Sequence, residues 1–302
     1  MDALNIIEDG TYVDATFGRG GHSARILERL GPSGRLIAID LDPEALAVGR
    51  ERFGADARVT FARASFGELG ELAGQLGIEG RVDGLLMDLG VSSPQIDDPE
   101  RGFSFREDGP LDMRMDPERG VSAAEWLAGV DELELADVLF RYGEERHSRR
   151  IARAIVDARA ETPITRTLQL ADIIRSAVPK KAAARDRIDP ATRSFQAIRI
   201  AVNGELEAIE RALDSALEVL AAGGRLAVIS FHSLEDRIVK RFIREHARPP
   251  AASRRRPAVP FSARLREIGK LVRPEEAEQQ ANPRARSARM RVAERRAAGG
   301  AA

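Results

Sequence analysis

The stretch Tyr12-Val-Asp-Ala-Thr-Phe-Gly-Arg-Gly-Gly-His-Ser23, read with Leu36-Ile-Ala-Ile-Asp40, decides the fold. An apolar, β-branched run breaks into Gly18, Gly20 and Gly21, and a helical pattern follows from Ser23 to Leu30. The second run is an apolar strand ending on a carboxylate about 20 residues beyond the glycines, the spacing of a ribose-binding acid. Asp42-Pro43-Glu44 then reads as the start of another helix. Strand, glycine turn, helix, strand and acid is the order in which a parallel α/β sheet holds a nucleoside. The glycines let backbone N–H groups approach the ligand, a helix N-terminus follows, and the acid meets the ribose hydroxyls. The glycine spacing alone is not decisive. It reads Gly-x-Gly-Gly-His-Ser, with Ser23 where a dinucleotide site prefers glycine for close helix–strand packing.

Outward from this stretch, the pattern predicts strands near 11–15, 35–40, 58–62 and 82–88, and helices near 23–30, 43–53 and 67–77. Such alternation implies a parallel sheet. It stops after Asp88. Residues 90–97 read as a turn, and Pro99 to Asp116 is rich in Gly, Pro and charge. From Ser122 to about Val178 the periodicity is helical, with no strand evident. Alternation resumes with a helix near 204–221, a strand at 225–230, a helix near 234–245 and a last strand at 288–293. The expected architecture is therefore an α/β domain formed by residues 1–96 and 197–302, with an all-α domain, 97–196, inserted between them. Residues 249–260, with Arg254, Arg255 and Arg256 among prolines, read as a mobile basic loop. Ala297 to Ala302 reads as a disordered tail.

Composition narrows the function. The chain has 302 residues and no cysteine, which excludes disulfides, thiolate metal ligands and a thiol nucleophile. Its four histidines, at 22, 147, 232 and 246, lack metal-binding spacing, so no dedicated metal site is expected. Without a membrane-length apolar run or a signal peptide pattern, a cytoplasmic protein is expected. The net charge of −1 conceals an asymmetry: residues 146–199 carry 13 Lys and Arg against 5 Asp and Glu, and residues 237–302 carry 18 against 6. Two basic regions on a nearly neutral chain suit either a polyanion-facing surface or ordinary solvated helix faces.

Ligands of open α/β sheets bind at the carboxyl ends of the strands. Here those ends coincide with Gly18–His22, Asp40, Ser65-Phe66, Asp88–Gln95 and Ser230-Phe-His-Ser233. Asp88 closes a mostly apolar strand beside the glycine loop and is the candidate for the catalytic edge; as a bare residue it also suits a cap or turn. His232 suits a helix cap or a substrate contact equally.

Several blocks extend the pattern. They are Asp14–Ser23, Met87-Asp-Leu-Gly-Val-Ser-Ser-Pro-Gln95, Arg101-Gly-Phe-Ser-Phe105 and Leu111-Asp-Met-Arg-Met-Asp116. Further on come Ala191-Thr-Arg-Ser-Phe-Gln-Ala-Ile-Arg199, Ile229–Arg237 and Asn282-Pro-Arg-Ala-Arg-Ser287. Seven blocks in this order, spanning about Ala3 to Arg296, resemble the MraW/RsmH family. Its members are S-adenosylmethionine-dependent methyltransferases that modify N4 of a cytosine in the decoding region of 16S ribosomal RNA. The family has a short segment with a His-x-Pro-Val-Leu run ahead of this start, so relative to it the chain begins late, and contacts from that segment are not carried over.

The resemblance implies a Rossmann-like methyltransferase sheet with the helical insert as the RNA-recognition domain. It implies that Gly20, Gly21 and His22 line the methionine end of S-adenosylmethionine, that Asp40 takes the ribose hydroxyls, and that Phe66 lies by the adenine. Asp88 and Gln95 would complete the pocket beside the transferred methyl. Arg193, His232, Arg254, Arg255, Arg256 and Arg286 stand as candidate substrate contacts, with the small ribosomal subunit as partner and self-association left open. The chemistry asks for alignment and for an acceptor of the target amine's N–H, a role for Asp88 or the Leu89 carbonyl. A base held out of its stack also needs a platform, for which Phe103, Phe105 and Phe231 are candidates. A NAD-dependent oxidoreductase and a non-catalytic RNA-binding protein are the rival readings. The first lacks its Gly-x-Gly-x-x-Gly; the second has no use for Asp40 or Asp88.

Overall fold

The computed structural model describes residues 2–179, 188–250 and 260–297. Arg254, Arg255 and Arg256, and the expected tail from residue 298, lie outside the described residues. The strands are β1 Thr11–Asp14, β2 Arg35–Asp40, β3 Val59–Arg63, β4 Val82–Asp88, β5 Leu220–Ser230, β6 Leu265–Val272 and β7 Arg289–Arg295. Helices in the first part of the chain are α1 Gly21–Leu27, α2 Pro43–Phe53, α3 Leu69–Leu76, α4 Ser93–Asp97, α5 Ala123–Gly129 and α6 Glu132–Gly143. They continue as α7 Ser148–Glu161, α8 Thr167–Ala177, α9 Ala191–Asn203, α10 Glu205–Val219, α11 Ser233–Ala247 and α12 Glu276–Ala281.

Two compact units result, one of residues 1–90 with 206–302, the other of Val91–Glu205. The first unit holds a seven-stranded sheet in the order β3-β2-β1-β4-β5-β7-β6. The strands from β3 to β5 are parallel; β7 runs antiparallel to both β5 and β6. The α/β reading of the sequence holds. Val13 and Tyr12 on β1, and Leu85, Leu86 and Met87 on β4, are all buried, as strands covered on both faces must be. One face packs Val13, Ile37, Leu85 and Val228 under Leu69 of α3, Leu213 and Leu217 of α10, and Val239 and Phe242 of α11. The other packs Tyr12, Leu36 and Leu86 under Ile26 and Leu27 of α1, and Phe17 and Ala38 against Ala45 of α2.

The second unit has its own core, built from Leu127 of α5, Leu135 and Leu139 of α6, Ile151 and Ile155 of α7, Leu170 and Ile174 of α8, and Phe195 and Ile198 of α9. Two of its helices, α5 and α6, start where the sequence supplies caps. Ser122 and Glu125 form a reciprocal capping box on α5, and Asp131 accepts from Leu133 N and Glu134 N of α6 at 2.8 and 3.0 Å.

Four details depart from the expectations. The segment read as a turn at 90–97 contains α4, because Ser92 and Gln95 make a capping box around Pro94. The unit boundaries fall at 90/91 and 205/206 rather than 96/97 and 196/197. The later one moves because α9 is continuous, with Phe195, Ala197 and Ile198 buried in the helical core. Strand β5 begins at Leu220, ahead of the expected 225, with a register shift opposite Val82 and Gly84. Strand β6 was not anticipated.

Candidate functional site

In the order β3-β2-β1-β4-β5, the chain reverses direction of progression between β1 and β4. That is where an open parallel sheet leaves a crevice beyond its strand ends. The glycine loop leaves β1 on one side of this point and Asp88 closes β4 on the other. Backbone bonds tie the edge together: Ala15 N donates to Leu86 O at 2.9 Å, Phe17 N to Ile39 O at 2.9 Å, and Leu89 N to Ile229 O at 2.9 Å.

The loop conformation depends on glycine at two positions. Gly18 and Gly20 have φ of +55° and +74°, in the left-handed region where a side chain is strained. At Gly20 an added Cβ would also lie 2.6 Å from Phe17 Cζ. Gly21 opens α1, and a Cβ there would meet nothing within 4 Å, so its backbone is open to an incoming group.

Asp40 sits at the end of β2 with both oxygens engaged. Oδ2 accepts from Gly18 N at 2.7 Å and Oδ1 from Asp42 N at 2.8 Å. It therefore holds the glycine loop and the start of α2 at once. Burial pushes its carboxyl up to about 6, against the pull of those two N–H bonds.

His22 Nε2 lies 3.3 Å from Asp88 Oδ2. That contact raises the imidazole above its ordinary value, against the opposing effect of burial. The other oxygen, Asp88 Oδ1, is buried without a hydrogen-bond partner among the described residues. Beneath them lie residues the sequence reading did not single out. Thr16 Oγ1 accepts from Asp88 N at 2.6 Å, fixing the end of β4 to the glycine loop. Asp14 is fully buried, accepting from Ser23 Oγ at 2.7 Å, and burial raises its carboxyl. The signal for Asp14 was present: an acid at the end of an apolar strand, with a hydroxyl nine residues on in the next helix.

At the end of β5, Glu235 is 0% exposed. Its Oε2 accepts from Phe231 N at 2.7 Å and His232 N at 3.1 Å, and its Oε1 lies 3.1 Å from His232 Nε2. The Phe231-His232 turn is thus clamped by a buried carboxylate that also caps α11. A Cβ added at Gly90, two residues after Asp88, would lie 3.9 Å from both the Phe231 ring and Glu235. Phe231 and His232 therefore border the β4 end.

Gly20, Gly21, His22, Asp40, Asp88 and His232 all lie at the carboxyl ends of the parallel strands. Phe66 opens a short 3-10 helix just beyond β3, capped by Ser65, and is half-buried against the first core. Arg286, also in this unit, is exposed on a 3-10 helix, Pro283–Ser287. Gln95 and Arg193 belong to the helical unit. Gln95 accepts from Ser92 N at 2.9 Å, and Arg193 Nη1 lies 4.0 Å from Glu145 Oε2. Phe103 and Phe105 pack against the helical core, with Phe105 stacked edge-on to Phe195 at 4.6 Å. Of the three candidate platforms, Phe231 is the one at the sheet edge. No cluster of metal-ligating side chains occurs among the described residues, and no described helix is long and apolar enough to cross a membrane.

The chain matches the MraW methylase family over residues 1–296. A protein of Thioalkalivibrio sulfidiphilus (strain HL-EbGR7) named Ribosomal RNA small subunit methyltransferase H is 60% identical over 298 residues, covering 98% of this chain and 94% of that protein. Proteins of the same name from Xanthomonas euvesicatoria pv. vesicatoria (strain 85-10) and Xylella fastidiosa (strain 9a5c) are each 57% identical. Each alignment covers 98% of this chain, and 86% and 94% of those proteins respectively.

Proposed function

This chain belongs to the MraW methylase family, and from that premise we propose that it methylates small-subunit ribosomal RNA with S-adenosylmethionine. The atom modified is N4 of a cytosine in the decoding region of 16S RNA. The observation that carries the reading is the edge between β1 and β4, where the glycine loop, Asp40 and the His22–Asp88 pair meet at one crevice.

The residues fit the cofactor. Asp40 offers a carboxylate to ribose hydroxyls, Gly21 leaves open space at its Cα, and a buried Asp88 oxygen lacks a donor. Gly20, Gly21, His22, Asp40, Phe66 and Asp88 are the residues of this unit that would hold it. S-adenosylmethionine supplies an electrophilic methyl when bound, so the protein has no electrophile to create. Its residues must align the amine and accept hydrogen bonds from it. Asp88 is the catalytic group in this reading. Thr16 fixes its backbone and His22 engages Oδ2, which leaves Oδ1 to accept the amine N–H as positive charge develops on nitrogen. A cytosine amine becomes acidic only as its bond to carbon forms, so Asp88 need not remove a proton beforehand. Phe231 offers a face for the unstacked base, and His232 and Arg286 are further candidate contacts. The helical unit recognises RNA in this reading, with Arg193 among its contacts and the small ribosomal subunit as partner. Such a substrate places the protein in the cytoplasm.

The test is direct. Purified protein is incubated with labelled S-adenosylmethionine and either small ribosomal subunits or bare 16S RNA, and the labelled nucleotide is mapped. Label at a decoding-region cytosine N4 is expected. Label elsewhere, or none on either substrate, rejects the reading.

A further inference from the structure

In the helical unit, one surface is charged without a counterpart inside the unit. Arg146 precedes α7, and Arg149, Arg150 and Arg153 lie in its first two turns; all four are exposed. Positions 149, 150 and 153 share one side of a helix, and the run from 146 to 153 covers about 10 Å at 1.5 Å per residue. Several other arginines of this unit are paired with acids within it. Arg114 grips Asp112 at 2.6 Å, Arg166 meets Asp108 at 2.8 Å, Arg175 meets Asp172 and Asp189 at 2.9 Å, and Arg199 holds Glu205 at 2.7 Å. Among the described residues, Arg146, Arg149 and Arg150 have no such partner. Arg153 lies 3.9 Å from Asp157, but the two side chains are 75% and 72% exposed, where an ion pair holds little.

Helix stability does not explain this arrangement. The first turn of α7 contains no acid, while Asp157 and Glu161 lie in its C-terminal half. A helix dipole favours the opposite order, with acids first and bases last. The charge is also carried by arginine throughout. Its planar guanidinium pairs with a phosphate through two parallel hydrogen bonds, which a lysine ammonium does not.

We propose that Arg146, Arg149, Arg150 and Arg153 form a track for the sugar–phosphate backbone of the RNA substrate, a proposal that rests on the reading of this chain as an RNA methyltransferase. The track takes hold of the polyanion and sets its register without reading its bases.

The test uses the full chain. Affinity for bare 16S RNA and for small subunits is measured across a salt titration for the wild type, the triple variant R149Q/R150Q/R153Q, and R141Q as a control on the exposed, Asp137-paired arginine of α6. Glutamine removes the charge and keeps a similar helix propensity. Each lost phosphate contact should flatten the log–log salt dependence by about 0.7 to 0.9. The triple variant should therefore bind bare RNA and subunits more weakly, with a slope shallower by about two to three. Its S-adenosylmethionine affinity and melting temperature should match the wild type, and R141Q should bind RNA normally. An unchanged slope and affinity in the triple variant, beside a wild type that binds, overturns the track while leaving the methyltransferase reading intact. Weakening on subunits but not on bare RNA also overturns it, assigning the arginines to an acidic protein surface. A wild type that neither binds nor methylates RNA rejects the substrate reading, and the track with it.

Discussion

Asp40 serves two partners at once: it closes the glycine loop onto the start of α2, and in the proposed function it receives a ribose. Replacing it with alanine should weaken S-adenosylmethionine binding by about 1.5–3 kcal/mol, the range for hydrogen bonds to a charged group. Calorimetry checks this, and unchanged affinity would remove Asp40 from the site. Its titration gives a second expectation. The folded carboxyl sits at about 6, above its unfolded value of 3.8. Protonation thus favours the free folded protein; that contribution is complete below the unfolded value and disappears as pH rises through about 6. Ligand binding needs the ionised form, so affinity should fall about tenfold per pH unit below 6, with proton release on binding in that window. Calorimetry in two buffers of different ionisation enthalpy counts the protons, and a pH-independent affinity between 5 and 7 contradicts it. In the proposed function Asp88 serves the chemistry, with a smaller part in holding the cofactor. Asp88→Asn keeps size and one acceptor but removes charge, and should slow single-turnover methyl transfer by about 100-fold or more. A near-normal rate would hand the amine to a backbone carbonyl such as that of Leu89.

Among the elements, α11 starts in an unusual way. Serine, threonine, aspartate and asparagine are the favoured N-caps, yet this helix is preceded by His232, and Glu235 reaches back to two N–H groups and the imidazole. Glu235→Ala leaves those partly buried donors unpaired and should cost about 1–3 kcal/mol in urea unfolding; a loss below a few tenths would mean that water replaces the clamp. The sequence foretold this end of β5 as a polar patch but not the clamp, because Glu235 reads as an ordinary first-turn acid. The elements with clean periods, β1, β2, β4 and α2, were legible from pattern alone. Strand β6 was not, since its apolar residues Leu265, Ile268 and Leu271 recur every third position. Gly269, at φ +69°, and a register shift between Ile268 and Val272 break the two-residue period there. Helix α4 was hidden because Ser92, Ser93 and Pro94 serve turns and helix starts alike. The strand-end candidates in the first unit were legible because an open sheet exposes its ligands at fixed places. Thr16 was not, because its partner, the Asp88 N–H, lies 72 residues on in the chain, whereas the signal for Asp14 was local and was passed over.

For the molecule as a whole, the interruption of the sheet unit is a continuous segment with a separate core. Residues 91–205 expressed alone should therefore fold to a helical, cooperatively unfolding protein. Circular dichroism in urea checks this, and a non-cooperative transition would show that the core does not suffice. The sheet unit cannot be assembled in the same way, because its strand order does not follow its order of synthesis. Strand β7 lies between β5 and β6, so β6 has no hydrogen-bonding neighbour in the sheet except β7. While the chain is still emerging from the ribosome, β5 keeps a bare edge and β6 has no strand to pair with until residues 289–295 have been translated. A nonsense codon just before Arg289 would thus remove one strand from the gene but two from the sheet. It would leave β5 as an open edge inviting pairing with other nascent chains, so residues 289–295 decide whether the sheet closes within its own chain or stays open to another.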